Sequence, residues 1–248
     1  MTRLSVNVNK VATLRNSRGG TVPNVLEAAQ VIIDAGAHGI TVHPRADARH
    51  ITTADVEDLA RLLAPYRGRV EYNIEGDARP DLMALVHEVR PDQCTLVPVV
   101  PGEVTSQGGW PPDTPLDRLR ATISALRGDG IRVSLFINPD PEAVRWAADL
   151  GADRVELFTE PFARAFKQGP DAARAAFDAC VVAAETAHGL GLGVNAGHDL
   201  DHDNLVMFRQ LPHLAEVSIG HALISRALFR GLDATVREYL AVLEGRAL

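Results

Sequence analysis

The chain has 248 residues, 46% of them hydrophobic and 23% charged, with a mean hydropathy of −0.02, enough to bury the core of one large α/β domain. A formal net charge of −7 argues against non-specific nucleic-acid binding, and two cysteines are too few for a disulfide framework. With so few cysteines a reducing compartment is expected. No apolar run approaches the roughly 20 residues of a membrane span, and the opening MTRLSVNVNK lacks the apolar core of a signal peptide.

Short β-branched runs alternate with amphipathic stretches from end to end. Strands are predicted at Leu4–Asn7, Gly39–His43, Val70–Ile74, Gln93–Val97, Arg132–Phe136, Arg154–Phe158, Leu192–Asn195 and Glu216–Ile219. The first clear helix opens at Asn24, which reads as a capping box with Glu27, and closes at Gly36. Thr52 or Thr53 opens the next, with Asp55, Glu57 and Asp58 suited to its positive end. Further helices are expected over 80–89, 115–128, 140–150, 170–190, 201–210 and 232–245. The stretches Pro98–Pro115 and Thr159–Gln168 read as irregular, the first as a lid.

Eight strand-and-helix units in about 250 residues match a (β/α)8 TIM barrel. The phrases AGAHGITV, GDGIRVSL and LGADRVEL repeat one pattern, helix end, glycine, strand, and no composition break divides residues 1–248. A doubly wound sheet is disfavoured because no GxGxxG follows the first strand.

In such barrels the site is built at the carboxyl ends of the strands. Here those ends carry Asn7-Val8-Asn9-Lys10, His43-Pro44-Arg45, Asn73-Ile74-Glu75, Glu156, Asn195-Ala196-Gly197-His198 and Ser218-Ile219-Gly220-His221. The opposite ends, such as Gly39 and Gly193, read as bland. Glu75 ends an apolar strand, where burial would suit it to proton transfer; Glu156 has no direction legible from its position. Arg15, Arg18, Arg45 and Arg49 gather near the first two strand ends, and arginine forks suit phosphate. Gly220 and the helix after it form a further anion site. Together these predict a phosphorylated substrate. No His-x-His occurs and no metal is expected. Of the 25 basic residues only Lys10 and Lys167 are lysines, and neither lies within a strand, so a Schiff base to the enzyme is poorly served.

At these residues a family resemblance emerges. NVNKVATLRNSRGG, GITVHPRADARHIT, VNAGHDL and SIGHALISRAL resemble the pyridoxine 5′-phosphate synthases, in register from Leu4 to Leu240. The resemblance implies a cytoplasmic enzyme of vitamin B6 synthesis. Such enzymes condense 1-deoxy-D-xylulose 5-phosphate with 3-amino-1-hydroxyacetone 1-phosphate, releasing phosphate and water. It implies no metal or organic cofactor and a homo-octamer built from dimers. Residue by residue, it makes His43 and Glu75 proton acceptors, His198 the proton donor and Glu156 the stabiliser of the transition state. Asn7, Arg18, Asp199, Gly220 and His221 would hold the aminoacetone phosphate; Asn9, Lys10, Arg45, His50 and Thr105 would hold the deoxyxylulose phosphate. Three positions depart from the family's best-known form, which has Asp-His where this chain has Asn9-Lys10, and glycine where it has Asp199. Those departures leave open another phosphosugar aldolase or isomerase on the same barrel, and a non-catalytic phosphate-ligand sensor.

Overall fold

The predicted strands close on one another, all parallel, into an eight-stranded barrel in chain order. The computed structural model describes residues 1–246 apart from Pro101 and Val104, and in α5 leaves out the side chain of Arg118. The order is β1 (Arg3–Asn7), α1 (Asn9–Asn16), α2 (Val25–Asp34), β2 (Gly39–Val42), α3 (Thr53–Leu63), β3 (Glu71–Gly76), α4 (Pro80–Val89), β4 (Gln93–Leu96) and α5 (Leu116–Gly128). It continues through β5 (Arg132–Ile137), α6 (Pro141–Asp149), β6 (Arg154–Leu157), α7 (Glu160–Phe166), α8 (Pro170–Gly189), β7 (Gly193–Ala196), α9 (Leu205–Phe208), β8 (Leu214–Ile219), α10 (His221–Arg230) and α11 (Leu232–Glu244). β1 pairs with both β2 and β8, which closes the ring. Among the described residues no helix is long and apolar enough to cross a membrane.

Successive strand residues point to opposite faces, and here the two faces have opposite chemistry. Leu4, Val6, Ile40, Val42, Ile74, Leu96, Val133, Leu135, Val155, Leu157, Val194, Val217 and Ile219 are buried in the main core cluster with the helices. The helices meet them with apolar residues at helical spacing, such as Ala29, Ile32 and Ile33 of α2 or Val56, Leu59 and Leu63 of α3. The alternate residues face the barrel axis and, Phe136 of β5 apart, are mostly polar. Ser5 Oγ lies 2.7 Å from Thr41 Oγ1, Thr95 donates to Asn73 Oδ1 at 3.1 Å, and Arg154 donates to Asn195 Oδ1 at 3.0 Å. Barrels of this kind are usually filled by branched apolar side chains; this one has its apolar core outside the strands and a hydrogen-bonded interior.

Four sequence expectations need correction. Asn9–Asn16 is helical although its first residues are polar and no side chain caps it. Thr159–Gln168 contains α7, whose proline lies in the first turn, where a missing N–H costs nothing. The helix expected over 201–210 shrinks to Leu205–Phe208, because Asp201 Oδ1 accepts from the amides of Asp203 (3.0 Å) and Asn204 (2.8 Å), a turn that competes with helix. Asn24 does cap α2 through the amides of Leu26 and Glu27, but the complete capping box lies at Thr52 and Asp55. The lid stretch 98–115 is without helix or strand at its described residues, and Pro101 and Val104 within it lie outside them.

The amino end of the barrel also departs from expectation. Far from bland, it holds Glu71 in ion pairs with Arg3 and with Arg132 (2.5 Å to the latter), while Arg132 Nε donates to Gln93 Oε1 at 3.0 Å. Gly193 makes room for this group: a Cβ there would stand 2.8 Å from Arg154 Cγ.

Candidate active site

A cavity of about 820 Å³ opens at the carboxyl end of the barrel. Its walls bring together most of the residues singled out from the sequence: Asn7, Asn9, Lys10, His43, Arg45, Arg49, His50, Glu75, Thr105, Glu156, His198, Asp199, Gly220 and His221. Arg18 is exposed in the turn after α1 and does not line it. Arg15 is likewise outside, held by Asp55 with Nη2 2.9 Å from Oδ2.

The wall is set by the backbone as much as by side chains. Asn7 Oδ1 accepts from the Asn9 amide at 3.0 Å, and Asn9 Oδ1 accepts from the His43 amide at 2.9 Å, so the Asn-x-Asn pattern ties the end of β1 to the end of β2. Gly197 lets β7 and β8 converge: a Cβ would stand 1.9 Å from the Ser218 carbonyl oxygen. Gly220 precedes α10, and a Cβ there would stand 3.1 Å from that of Asn7. The first turn of α10 therefore presents its amides to the cavity beside His221, an arrangement suited to an anion.

The titratable groups divide in two. His43, Glu75 and Glu156 form a buried patch, with His43 Nδ1 4.0 Å from Glu75 Oε2 and Asn7 Nδ2 3.4 Å from the same oxygen. Burial pushes Glu75 up to about 8, with repulsion from Glu216 adding to it. Glu156, only 5% exposed, rises well above the carboxylate range through burial and the charges of Glu75 and Glu216. The β-strand register thus answers the question of its direction, because Glu156 points into the barrel. Burial drives His43 down to about 3, helped by His50 and Arg45, and its buried Nε2 has no hydrogen-bond partner.

The second group is cationic and more open. Lys10, Arg45, Arg49 and His50 line one side of the cavity. His50 Nδ1 accepts from the Ile51 amide at 2.9 Å, leaving Nε2 as the donor, and burial with the Lys10 charge lowers it to about 4. The lid stretch reaches both sides. Arg49 Nη1 and Arg45 Nη2 donate to the Glu103 carbonyl at 2.9 and 3.3 Å, and Thr105 Oγ1 lies 3.0 Å from His198 Nε2. His198 packs against the Phe136 and Phe158 rings. Sequence reasoning missed the α7 contribution to the wall, Glu160, Ala163, Arg164 and Lys167; the Thr159-Glu160-Pro161 helix start was the signal for it. Among the described residues no group of three or more His, Cys, Asp or Glu side chains is arranged to hold a metal ion.

A family model described as "Pyridoxal phosphate biosynthesis protein PdxJ" matches residues 4–245. A pyridoxine 5′-phosphate synthase of Bacteroides fragilis is 53% identical over 240 residues, covering 96% of this chain and 98% of its own. One from Leptospira biflexa is 49% identical over 253 residues, covering 98% and 97%. Among solved structures, thiamine phosphate pyrophosphorylase from Pyrococcus furiosus superposes with a TM-score of 0.63 at 12% identity, over 98% of this chain and 96% of that one. Phosphoribosyl anthranilate isomerase from Thermotoga maritima gives 0.62 at 11%, over 99% and 100%. At such identities these two share the barrel alone.

Proposed function

Because the chain belongs to the PdxJ family of pyridoxal phosphate biosynthesis proteins, we propose that its carboxyl-end cavity is where its pyridoxine 5′-phosphate synthase activity takes place. The activity is a step of vitamin B6 biosynthesis. The observation that carries the assignment to this cavity is the joint presence of a buried acid–base patch (His43, Glu75, Glu156) and a cationic wall (Lys10, Arg45, Arg49, His50) in one space of about 820 Å³.

The roles follow from the chemistry. The substrate amine of 3-amino-1-hydroxyacetone 1-phosphate condenses with the ketone of 1-deoxy-D-xylulose 5-phosphate, so no enzyme lysine has to form the imine. Ring closure and aromatisation then require several proton removals and donations, each speeded on the order of 10²–10⁴ by a positioned acid or base. His43 and Glu75 take protons, His198 gives one, and Glu156 stabilises the charge that develops between them. His43 is a weak base while it is buried with the charges of Arg45 and Arg49 near it. A substrate phosphate bound at that wall offsets their field and strengthens the base when substrate is present. Asn9, Lys10, Arg45, His50 and Thr105 take the deoxyxylulose phosphate. Asn7, the Asp199 backbone, Gly220 and His221 take the aminoacetone phosphate. We place the reaction in the cytoplasm, in keeping with the unpaired Cys94 and Cys180. We also propose a homo-octamer of dimers, supported by Leu228 and Phe229, 68% and 89% exposed at the end of α10.

His198→Ala tests the donor role. It should lower turnover by ~10²–10⁴ while either phosphorylated substrate still binds, measured by calorimetry beside a steady-state assay. Turnover close to wild type would remove His198 from the mechanism; loss of binding as well would make it a structural residue of the pocket.

A further inference from the structure

Asp199 is an acidic residue in the wall of a cavity otherwise suited to phosphate. A carboxylate beside the α10 amides repels phosphate, yet its backbone is firmly placed. Asp199 sits at φ 63°, a left-handed conformation that Asp tolerates better than most residues. The Asn204 side chain donates to its carbonyl at 3.2 Å, and Thr159 Oγ1 donates to the carbonyl of His198. That conformation turns the Asp199 carboxylate back onto the preceding ring, with Oδ2 2.8 Å from His198 Nδ1. Nδ1 is buried and makes no other hydrogen bond among the described residues; catalytic hydrogen bonds commonly tighten only once substrate is bound. On the other side of the ring, Nε2 faces Thr105 Oγ1 and the cavity.

We propose that Asp199 is a positioning residue for His198: its carboxylate keeps the proton on Nδ1 and aims Nε2 at the substrate. Among the described residues, the groups packed on the ring, the Phe136 and Phe158 rings and Thr105 on the Nε2 side, offer Nδ1 no other acceptor. The charges around the pair are those of His221, at the start of α10, and Lys167, at the end of α7. Both, after His198 itself, hold the Asp199 carboxyl below the usual range. A His-Asp pair made from adjacent residues in this way gives the orienting function of an acidic partner to a histidine. It also gives a reason for a carboxylate at a position where the family's best-known form has glycine.

The inference rests on the reading of His198 as proton donor, and its test separates the two. Asp199→Gly removes the carboxylate and accommodates the positive φ, so the variant folds; Asp199→Asn keeps an acceptor oxygen and removes the charge. Nitrogen-15 NMR of the imidazoles, assigned with His198→Ala, reports the tautomer without requiring turnover. The expected result is a defined Nδ1–H form in the wild type and in Asp199→Asn, and a mixture in Asp199→Gly. In Asp199→Gly kcat falls about tenfold with KM little changed, and Asp199→Asn, which keeps the acceptor oxygen, recovers most of it. An unchanged tautomer in Asp199→Gly, or an equal loss of kcat in Asp199→Gly and Asp199→Asn, would overturn the proposal. Full turnover in His198→Ala would instead sink the donor reading, while the imidazole spectra would still show whether Asp199 orients the ring.

Discussion

The two ends of the barrel use the same residue type in opposite ways. At the amino end Glu71 is clasped by Arg3 and Arg132, which hold its carboxyl below the usual range against the cost of burial. At the carboxyl end of the same strand, Glu75 has no cation against it and is pushed up to about 8. Glu216, buried at the amino end among Arg154, Arg132 and Arg3, stops at about 6. Four residues along β3 therefore separate a carboxylate that holds the fold together from a carboxyl free to exchange a proton. The difference lies in the neighbours as well as in the depth of burial: a charge left uncompensated inside a protein is costly and marks a site that does work.

Identical Glu→Gln substitutions at the two ends sharpen the contrast. The largest effect expected is on turnover: Glu75→Gln should lower kcat by ~10²–10⁴ in a steady-state assay, without loss of stability at pH 7. A smaller effect is expected from Glu71→Gln, which leaves Arg3 and Arg132 facing a neutral group. It should cost about 1–3 kcal/mol in urea unfolding and leave kcat within a factor of about two, since Glu71 is outside the cavity wall.

The smallest effect is the most diagnostic, because its sign differs between the ends. Glu75 has a raised folded-state value, so the folded protein binds more protons than the unfolded chain between the ordinary 4.5 and about 8. Its burial therefore destabilises increasingly as pH climbs through that window. Glu75→Gln should gain stability relative to wild type from pH 5 to pH 9. Glu71 has a lowered value, so its contribution is complete above the unfolded value of 4.5 and fades as pH falls through its folded value. Glu71→Gln should be less stable than wild type at pH 7 and approach it in acid. Melting temperatures across pH 3–9 decide both, and parallel curves for the two variants would erase the distinction between the ends.

The barrel itself was readable because each unit repeats a local grammar, a glycine after a helix followed by a β-branched run, as in AGAHGITV and LGADRVEL. The carboxyl-end site was readable by rule once the strands were placed. What stayed hidden depended on contacts between distant residues. Arg3, Glu71 and Arg132 look like ordinary charged residues at strand starts until the closed barrel brings them face to face. Arg15 looks like a phosphate ligand until α3 delivers Asp55 to it. Glu156 acquires a direction only from the register with Phe136 and Asn195. α7 was obscured by a proline that ends helices elsewhere and starts one here.

The most direct measurement is turnover of 1-deoxy-D-xylulose 5-phosphate with 3-amino-1-hydroxyacetone 1-phosphate by wild type, Glu75→Gln and Glu71→Gln side by side, each confirmed folded, following pyridoxine 5′-phosphate by absorbance. Product from wild type and Glu71→Gln, with little from Glu75→Gln, is the result expected if proton chemistry resides in the uncompensated carboxyls of the carboxyl end. Equal turnover in the two variants, or full activity in Glu75→Gln, would contradict it.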